Sequence, residues 1–232
     1  MPARALEPAG IALVDKPAGP SSFAIVAQIR RRTGARTGHA GTLDPFATGL
    51  LLVLSGRATK LAQWLVGLDK RYVTEVDLTR RTSTGDPEGE IVEGREPPTR
   101  GELERRLAGL RGEIQLPIPA ASAVKVGGER AYRLARRGVK VAMPLRRSYV
   151  HALDVIAYTD ESVTLDLIVS SGTYVRAIAD ALGGSCRTLR RTEVGPFTVA
   201  EATTVDSFEP SSLLPAEVVL DRVRATEHEE GA

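Results

Sequence analysis

Runs of apolar residues, some continuous and some alternating with polar ones, predict several strands along the 232-residue chain. Residues 11–14 form a short apolar run that ends in a loop rich in proline and glycine, which is typical of a buried strand. Residues 72–78 and 163–169 alternate with period two, which predicts strands with one buried face. Residues 50–54 are continuously apolar, so they fit either a buried strand or part of a buried helix.

Capping signals between these runs predict helices. Ser21 or Ser22 is a suitable N-cap for a helix that ends near Gly34, after three consecutive arginines that complement the carboxyl end of a helix. Thr99 followed by Glu102 forms a capping box before leucines at helical spacing. Because helices and strands intermix in this way, the pattern predicts a mixed fold of the α/β (α+β) class.

Two segments depart from this regular pattern. Residues 115–147 combine prolines, paired glycines and many arginines around a short helical stretch at 129–137, which Gly138 should end, so we expect an excursion from the core. From residue 206 the chain becomes acidic and is interrupted by Ser and Pro. The predicted organisation is a domain over 1–205 and a short acidic extension over 206–232, too short for a core of its own.

Composition excludes several protein classes and several kinds of site. With 42% hydrophobic and 26% charged residues, the chain is neither disordered, collagen-like nor a coiled coil. Cys186 is the single cysteine, so no internal disulfide can form, and His39, His151 and His228 show no metal-ligand spacing. The longest apolar run is far shorter than the ~20 residues that cross a bilayer, and no signal peptide is apparent, so we expect a cytoplasmic protein.

The net charge of +2 conceals a strongly uneven distribution. Residues 16–60 contain seven Lys or Arg and one acidic residue, and residues 122–147 contain eight and one. Residues 201–232 reverse the balance, with eight acidic residues and two arginines. The two basic segments suit binding to a polyanion, and the alternative is ordinary solvated surface charge.

The most unusual segment is GHAGTLDPFATGLL at residues 38–51, where three glycines allow close approach of a large ligand. Asp44 precedes Pro45, which favours an extended backbone and places the carboxylate on a loop. A lone loop aspartate is either a turn residue or a catalytic carboxylate. A nucleotide-phosphate cradle is disfavoured, because no Gly-Lys-Ser/Thr follows and no dinucleotide fingerprint is present.

Two further residues have both a structural and a chemical interpretation. Arg176 lies in the predicted first turn of an Ala-rich helix, where it is expected to be exposed. It would serve there as a surface residue, as a structural ion-pair partner, or as a guanidinium that keeps a nearby carboxylate ionised and oriented. Tyr72 starts a predicted strand, either as a core aromatic or as an active-site residue.

Taken in order, four motifs resemble those of the TruB-type tRNA pseudouridine synthases over about residues 10–199. These motifs are Lys16-Pro17 followed by Gly19, residues 38–51, Lys70-Arg71-Tyr72, and SGTYVR at 171–176. The resemblance implies a pseudouridine-synthase fold, with a mixed, mainly antiparallel sheet flanked by helices, an RNA-binding cleft and a thumb-like insertion at about 115–147. It implies isomerisation of the T-loop uridine at tRNA position 55 by base flipping, glycosidic-bond cleavage and reattachment at C5.

The resemblance also implies roles for individual residues. Asp44 corresponds to the family's catalytic aspartate, Arg176 to its ion-pair partner and Tyr72 to the tyrosine that stacks on the target base. His39 corresponds to the histidine that fills the space left by the flipped nucleotide, and Leu189 to an apolar residue beside the site. The remaining residues expected to bind substrate are Lys16, Gly41, Thr42, Tyr174, Arg133 and Arg136; for Lys16 a structural role is an equal alternative.

The resemblance further implies that no cofactor or metal is needed. It implies that the partner is the T stem-loop of tRNA and that the protein acts as a monomer, with no membrane and no required protein partner. Many bacterial members continue into a carboxy-terminal PUA domain, which we do not expect in this chain. The excursion would then contribute more of the binding to RNA. The rival hypothesis is an RNA-binding tRNA-folding chaperone with little dependence on catalysis, and whether Asp44 attacks the sugar, removes its 2′ proton or adds to the base stays open.

Overall fold

A computed structural model describes residues 8–137, 139 and 141–229. In these residues the strands are β1 (Gly10–Lys16), β2 (Thr37–Ala40), β3 (Thr48–Ser55), β4 (Lys70–Asp77), β5 (Arg80–Thr82), β6 (Ile91–Gly94), β7 (Gly112–Pro117), β8 (Lys125–Val126), β9 (Glu129–Arg130), β10 (Leu145–Tyr158), β11 (Ser162–Val169), β12 (Ser185–Val194), β13 (Phe197–Thr198) and β14 (Thr203–Thr204). The helices are α1 (Ser22–Thr33), α2 (Ala62–Gly67), α3 (Arg100–Ala108), α4 (Ala131–Arg136), α5 (Val175–Leu182) and α6 (Ala216–Glu229).

This content confirms the predicted mixed α/β class, and the chain divides into two compact units. Unit 1 comprises Met1–Arg71 and Arg190–Ala232, and unit 2 comprises Tyr72–Leu189. The division falls within β4 and within β12. No helix among the described residues is both long and apolar enough to span a membrane.

In unit 1 the sheet is built around β3. Strand β1 pairs antiparallel with one edge of β3 over its whole length, and β14 continues the sheet in parallel beyond β1. The other edge of β3 is shared, because β2 pairs with its carboxyl half and Arg190 and Arg191 of β12 pair with Thr48 and Gly49 at its start.

The apolar run at 50–54 is a strand, which resolves the ambiguity left by its sequence. Every residue from Leu50 to Leu54 is fully buried, so both faces of β3 are covered and no polar alternation is required. Its core cluster includes Ile11, Leu65, Phe197 and Val219. Val219 belongs to α6, so the acidic carboxyl segment packs onto this core.

The caps of α1 and α3 confirm the sequence signals. The Ser21 side chain accepts a hydrogen bond from the backbone N–H of Ala24, and Gly34 adopts a left-handed φ of 65° at the end of α1. Thr99 and Glu102 form a reciprocal capping box at the start of α3. These contacts satisfy backbone groups that a helix end leaves without partners.

In unit 2 the strand order is β12-β4-β11-β10-β7, with α3 and α5 packed on each other and α5 also on β7. The ends of the predicted excursion are strands, because Leu145 of β10 pairs with Pro117 of β7. Between them lies a small hairpin, whose turn is Gly127-Gly128 with positive φ at both residues, followed by α4. The helical stretch therefore begins at Ala131, two residues later than predicted, and Gly138 lies outside the described residues.

An ion pair fixes α6 to the preceding segment of unit 1. The guanidinium of Arg222 donates to both carboxylate oxygens of Glu201 at 2.7 and 2.9 Å and to the carbonyl of Pro196, and it stacks 4.6 Å from the centroid of the Phe197 ring. These hydrogen bonds from Arg222, together with those from Thr198, lower the pKa of Glu201 from 4.5 to about 2, against the opposing effect of burial.

We expect Glu201→Gln to lower the free energy of unfolding at pH 7. Because the folded-state pKa of Glu201 is depressed, its stabilising effect is present above about pH 4.5 and is lost as the pH falls towards 2. Urea unfolding at pH 7, 4 and 2.5 should show the difference between wild type and variant shrinking with acidification. The exposed Glu209 provides the control, Glu209→Gln, and a pH-independent difference for Glu201→Gln would contradict the assignment.

Candidate active site

Asp44 lies on the loop that joins β2 to β3 in unit 1, and its side chain is half-buried. The backbone turns tightly here, since the N–H of Ala47 donates to the carbonyl of Asp44 at 3.2 Å. The N–H of Gly19 donates to the carbonyl of Pro45 at 2.8 Å, which ties the loop to the segment after β1. The sequence motif thus becomes a fixed loop that carries a carboxylate.

Lys16 is the main anchor of this loop. Its side chain is 0% exposed, and its ammonium donates to the carbonyls of Pro17, Pro45 and Ala47 at 2.8, 3.0 and 2.6 Å. A buried ammonium is tolerated only when hydrogen bonds replace its lost hydration. These hydrogen bonds hold the Asp44 loop in position, and the contact of Lys16 with substrate stays a prediction.

Ser22, at the start of α1, holds the other side of the loop. Its hydroxyl accepts a hydrogen bond from the N–H of Leu43 at 2.8 Å and donates to the carbonyl of Leu43 at 2.9 Å. This pair fixes the peptide immediately before Asp44. The sequence indicated only a helix cap at Ser22, because this contact links residues 21 positions apart and has no local signal.

Arg191 is the third anchor, and it too was missed. It is 1% exposed, and its guanidinium donates to the carbonyls of Leu50 and Gly41 at 2.7 and 3.1 Å. Close backbone packing brings it there, because a Cβ at Gly49 would lie 2.2 Å from the carbonyl oxygen of Arg191. Alternation along β12 turns the neighbouring Arg190 away, to a bidentate contact with Asp15.

A second buried lysine adds to the positive surroundings of the loop. Lys70 lies at the start of β4 and donates to the carbonyls of Val66 and Leu68 near the end of α2. Burial and the charge of Arg191 lower the pKa of Lys70 to about 8, while Asp69 opposes this shift. Unit 1 therefore surrounds the Asp44 loop with buried cations whose charges face backbone carbonyls.

His39 on β2 is half-buried beside the same loop. Burial, followed by the charge of Arg191, lowers its pKa, which favours the neutral imidazole. The rings of Phe23 and His39 meet edge to face, with centroids 5.2 Å apart and planes at 77°. Gly41 has φ of 94° and Thr42 is exposed, so these two predicted substrate residues follow on the same stretch of chain.

Arg176 lies in the first turn of α5 in unit 2 and is 3% exposed, so the expectation of an exposed arginine was wrong. Its guanidinium donates to the carbonyls of Thr84 and Ala121 at 2.7 and 3.0 Å and lies 3.4 Å from a carboxylate oxygen of Asp86, itself buried. The side chain is drawn inward because these acceptors lie on the turn after β5 and on the chain after β7. Sequence reasoning missed Asp86, which no motif had singled out.

Three more of the predicted residues lie in unit 2. Tyr72 on β4 is 8% exposed, Leu189 on β12 is buried, and Tyr174 is the half-buried N-cap of α5. Tyr174 lines a shallow groove with residues of β7 and β10 and with Thr173. Within the described residues, no group of three or more His, Cys, Asp or Glu could hold a metal ion.

Some cations of the basic excursion are exposed, and others contact neighbouring groups of the protein. Arg133 is exposed and packs on the ring of Tyr132, whereas Arg137 makes a bidentate contact with Glu129 at 2.6 and 2.8 Å. Arg130 donates to the carbonyl of Ala123. The side chain of Arg136, a predicted substrate contact, lies outside the described residues.

The predicted site residues thus fall into two sets. Unit 1 contributes Lys16, His39, Gly41, Thr42 and Asp44, and unit 2 contributes Tyr72, Arg133, Tyr174, Arg176 and Leu189. The structure brings the members of the first set onto or beside one loop. The pairing of Asp44 with Arg176 joins residues of different units and stays a prediction.

Comparison with known proteins identifies the family of this loop. The family described as "TruB family pseudouridylate synthase (N terminal domain)" matches residues 30–175. The chain belongs to the TruB family of pseudouridylate synthases. The family membership confirms the resemblance inferred from the Asp44 loop and its companion motifs.

Individual TruB relatives agree with this assignment. The chain is 40% identical to tRNA pseudouridine synthase B of Leifsonia xyli subsp. xyli (strain CTCB07), over 95% of this chain and 80% of that protein. It is 45% identical to tRNA pseudouridine synthase B of Mycobacterium sp. (strain KMS), over 85% of this chain and 71% of that protein. Among solved structures, a chain of a Cbf5-Nop10-Gar1 complex is similar with a TM-score of 0.68 and 27% identity; 92% of this chain matches 62% of that one.

Lys16→Met tests the anchoring of the TruB loop. The substitution leaves one buried and two partly buried carbonyls without their donor, so we expect the free energy of unfolding to fall by about 2–4 kcal/mol. Chemical denaturation measures this loss, with Lys60→Met as the control because Lys60 is an exposed lysine of the same unit. Equal stability of the two variants would contradict the anchoring role.

Arg176→Lys tests the buried guanidinium. A lysine cannot reach Thr84, Ala121 and Asp86 together, so we expect a loss of about 2–4 kcal/mol in the free energy of unfolding. The matched control is Arg187→Lys, a half-exposed arginine of unit 2 that pairs with Glu75 and Asp77, for which the loss should be below about 1 kcal/mol. A loss of unfolding free energy for Arg176→Lys no larger than for Arg187→Lys would contradict the structural importance of the Arg176 guanidinium.

Proposed function

We propose that the chain isomerises the T-loop uridine at tRNA position 55 to pseudouridine, with Asp44 as the catalytic nucleophile or base. The observation that carries this proposal is the Asp44 loop, a half-buried carboxylate on backbone held by Lys16, Ser22 and Arg191. Membership of the TruB family and relatives named tRNA pseudouridine synthase B support the reaction class.

The reaction needs no external reactant. The N1–C1′ bond of uridine breaks, the base rotates, a C5–C1′ bond forms, and the proton lost from C5 is balanced by one gained at N1. Attack on the sugar, removal of its 2′ proton and addition to the base all begin from an ionised carboxylate in a site that excludes water. In this proposal Asp44 supplies that carboxylate, and the route through a glycal is the one we favour.

Arg176 and Tyr72 complete the proposed catalytic set. The Arg176 fork, already oriented by the carbonyls of Thr84 and Ala121, is proposed to pair with Asp44 and keep it ionised. Tyr72 is proposed to stack on the target base after it has left the RNA stack. Leu189 is proposed to pack beside the site, and His39 to fill the space that the flipped nucleotide leaves.

Binding of the polyanion is assigned to the basic segments. Arg133 is exposed on α4 within a segment of eight cations and one acid, so we propose that it contacts the RNA backbone together with Lys125 and Arg136. Thr42, Gly41 and Tyr174 are proposed to line the substrate path. We further propose that the enzyme acts as a monomer in the cytoplasm, with tRNA as its partner and without a metal or cofactor.

Asp44→Asn should abolish formation of pseudouridine while leaving tRNA affinity within about twofold of wild type. The substitution removes the negative charge but preserves size, and phosphate contacts elsewhere dominate RNA affinity. The measurement is single-turnover conversion of an unmodified tRNA transcript together with a binding titration. The control is Asp160→Asn, an exposed carboxylate between β10 and β11, which should behave as wild type.

Two outcomes would contradict this proposal. Appreciable turnover by the Asp44→Asn variant would remove Asp44 from its assigned role. A wild-type protein that binds and refolds tRNA but forms no pseudouridine would favour the rival hypothesis, an RNA chaperone.

A further inference from the structure

Phe23 is the most exposed large hydrophobic side chain of the described residues, at 72%. It occupies the first turn of α1, a helix whose Ile25, Val26 and Ile29 are buried against unit 1. The core therefore does not require an aromatic residue at position 23. Exposed single hydrophobic residues are common, so exposure alone does not indicate a binding residue. The groups around Phe23 must support that interpretation.

The first neighbouring feature is His39. The two rings meet edge to face, with centroids 5.2 Å apart, and the Phe23 side chain is still 72% exposed, so most of its ring surface is available. Burial, followed by the charge of Arg191, lowers the pKa of His39 and so favours its neutral form, and the pair presents two adjacent aromatic rings. Nucleobases that have left a helical stack bind to such rings.

The second neighbouring feature is the positive charge at the carboxyl end of the same helix. Arg30 and Arg31 are exposed at the carboxyl end of α1, and Arg30 lies seven residues from Phe23, close to the same face and about 10 Å along the axis. Neither side chain makes a hydrogen bond or ion pair within the part of the chain that the structure describes. Across residues 16–60 the only acidic residue is Asp44.

We propose that Phe23 is a base-stacking residue: its ring binds an unpaired nucleobase of the RNA substrate while Arg30 and Arg31 contact the adjoining phosphates. An aromatic platform followed by cations on one helix face complements a single-stranded RNA segment, with its alternating bases and negative charges. This assignment deepens the proposed function, on which it rests, by adding a residue that selects an unstacked loop over a continuous duplex.

Binding of an unmodified tRNA transcript to the full chain tests the proposal. Stacking on one base accounts for about a tenfold change in affinity, so Phe23→Ala should weaken binding about tenfold at every salt concentration. Phe23→Leu should bind tRNA as weakly as Phe23→Ala, because it keeps an apolar side chain without a ring. Phe23→Trp should bind tRNA with the affinity of wild type. Arg30→Ala with Arg31→Ala should instead reduce the salt slope by about two units.

A fluorescence experiment reports the contact itself. The chain has one tryptophan, Trp64, so the double variant Trp64→Phe, Phe23→Trp carries a single indole at position 23. Stacking on a base should quench that emission when tRNA is added. The wild-type protein, with its indole at the exposed position 64, is the matched control for non-specific quenching.

The alternative is that Phe23 merely covers His39. In that case Phe23→Leu would bind like wild type, and Phe23→Ala would have no effect in a His39→Ala background; either result overturns the proposal. So does unchanged affinity of Phe23→Ala, provided that its thermal midpoint matches wild type as expected for an exposed residue. A wild-type protein that binds tRNA without forming pseudouridine would overturn the proposed function instead, and the stacking measurements would still be readable.

Discussion

Everything assigned to the Asp44 loop depends on one buried ammonium. Lys16 has no exposed surface and gives its hydrogen bonds to the carbonyls of Pro17, Pro45 and Ala47. An ammonium in such surroundings is costly unless its donors are used, and loop carbonyls are costly to bury unless they accept. Each requirement satisfies the other, so the loop has a defined position even though it lacks regular secondary structure.

The same principle extends to the other buried cations of unit 1. Arg191 and Lys70 donate to backbone carbonyls, and burial, followed by repulsion from Arg191, lowers the pKa of Lys70. Fixed positive charge near a carboxylate favours its ionised form, which is the form that the proposed reaction requires of Asp44. The arrangement thus joins the stability of the loop to the chemistry proposed for Asp44.

The arginines of the described residues fall into two groups. Arg176, Arg187 and Arg222 are matched with carboxylates, whereas Arg30 and Arg31 have no such match among the described residues. Paired guanidinium groups order their own surroundings. Guanidinium groups without a carboxylate partner remain available to bind an anion. For this reason the exposed Arg30 and Arg31 enter the proposal made for Phe23.

The sequence by itself determined the capped helices α1 and α3 and the alternating strands, because each depends on neighbours within a few residues. It also determined the family and the mixed fold class, because the order of motifs and elements along the chain is read without knowing their contacts. It also located Asp44 on a loop. Only the tertiary structure decided that residues 50–54 form a strand, since burial on both faces erases periodicity, and that Arg176 is buried. Lys16 reaches Ala47 across 31 residues and Arg191 reaches Gly41 across 150, and such contacts exist only once strand pairing has brought distant segments together.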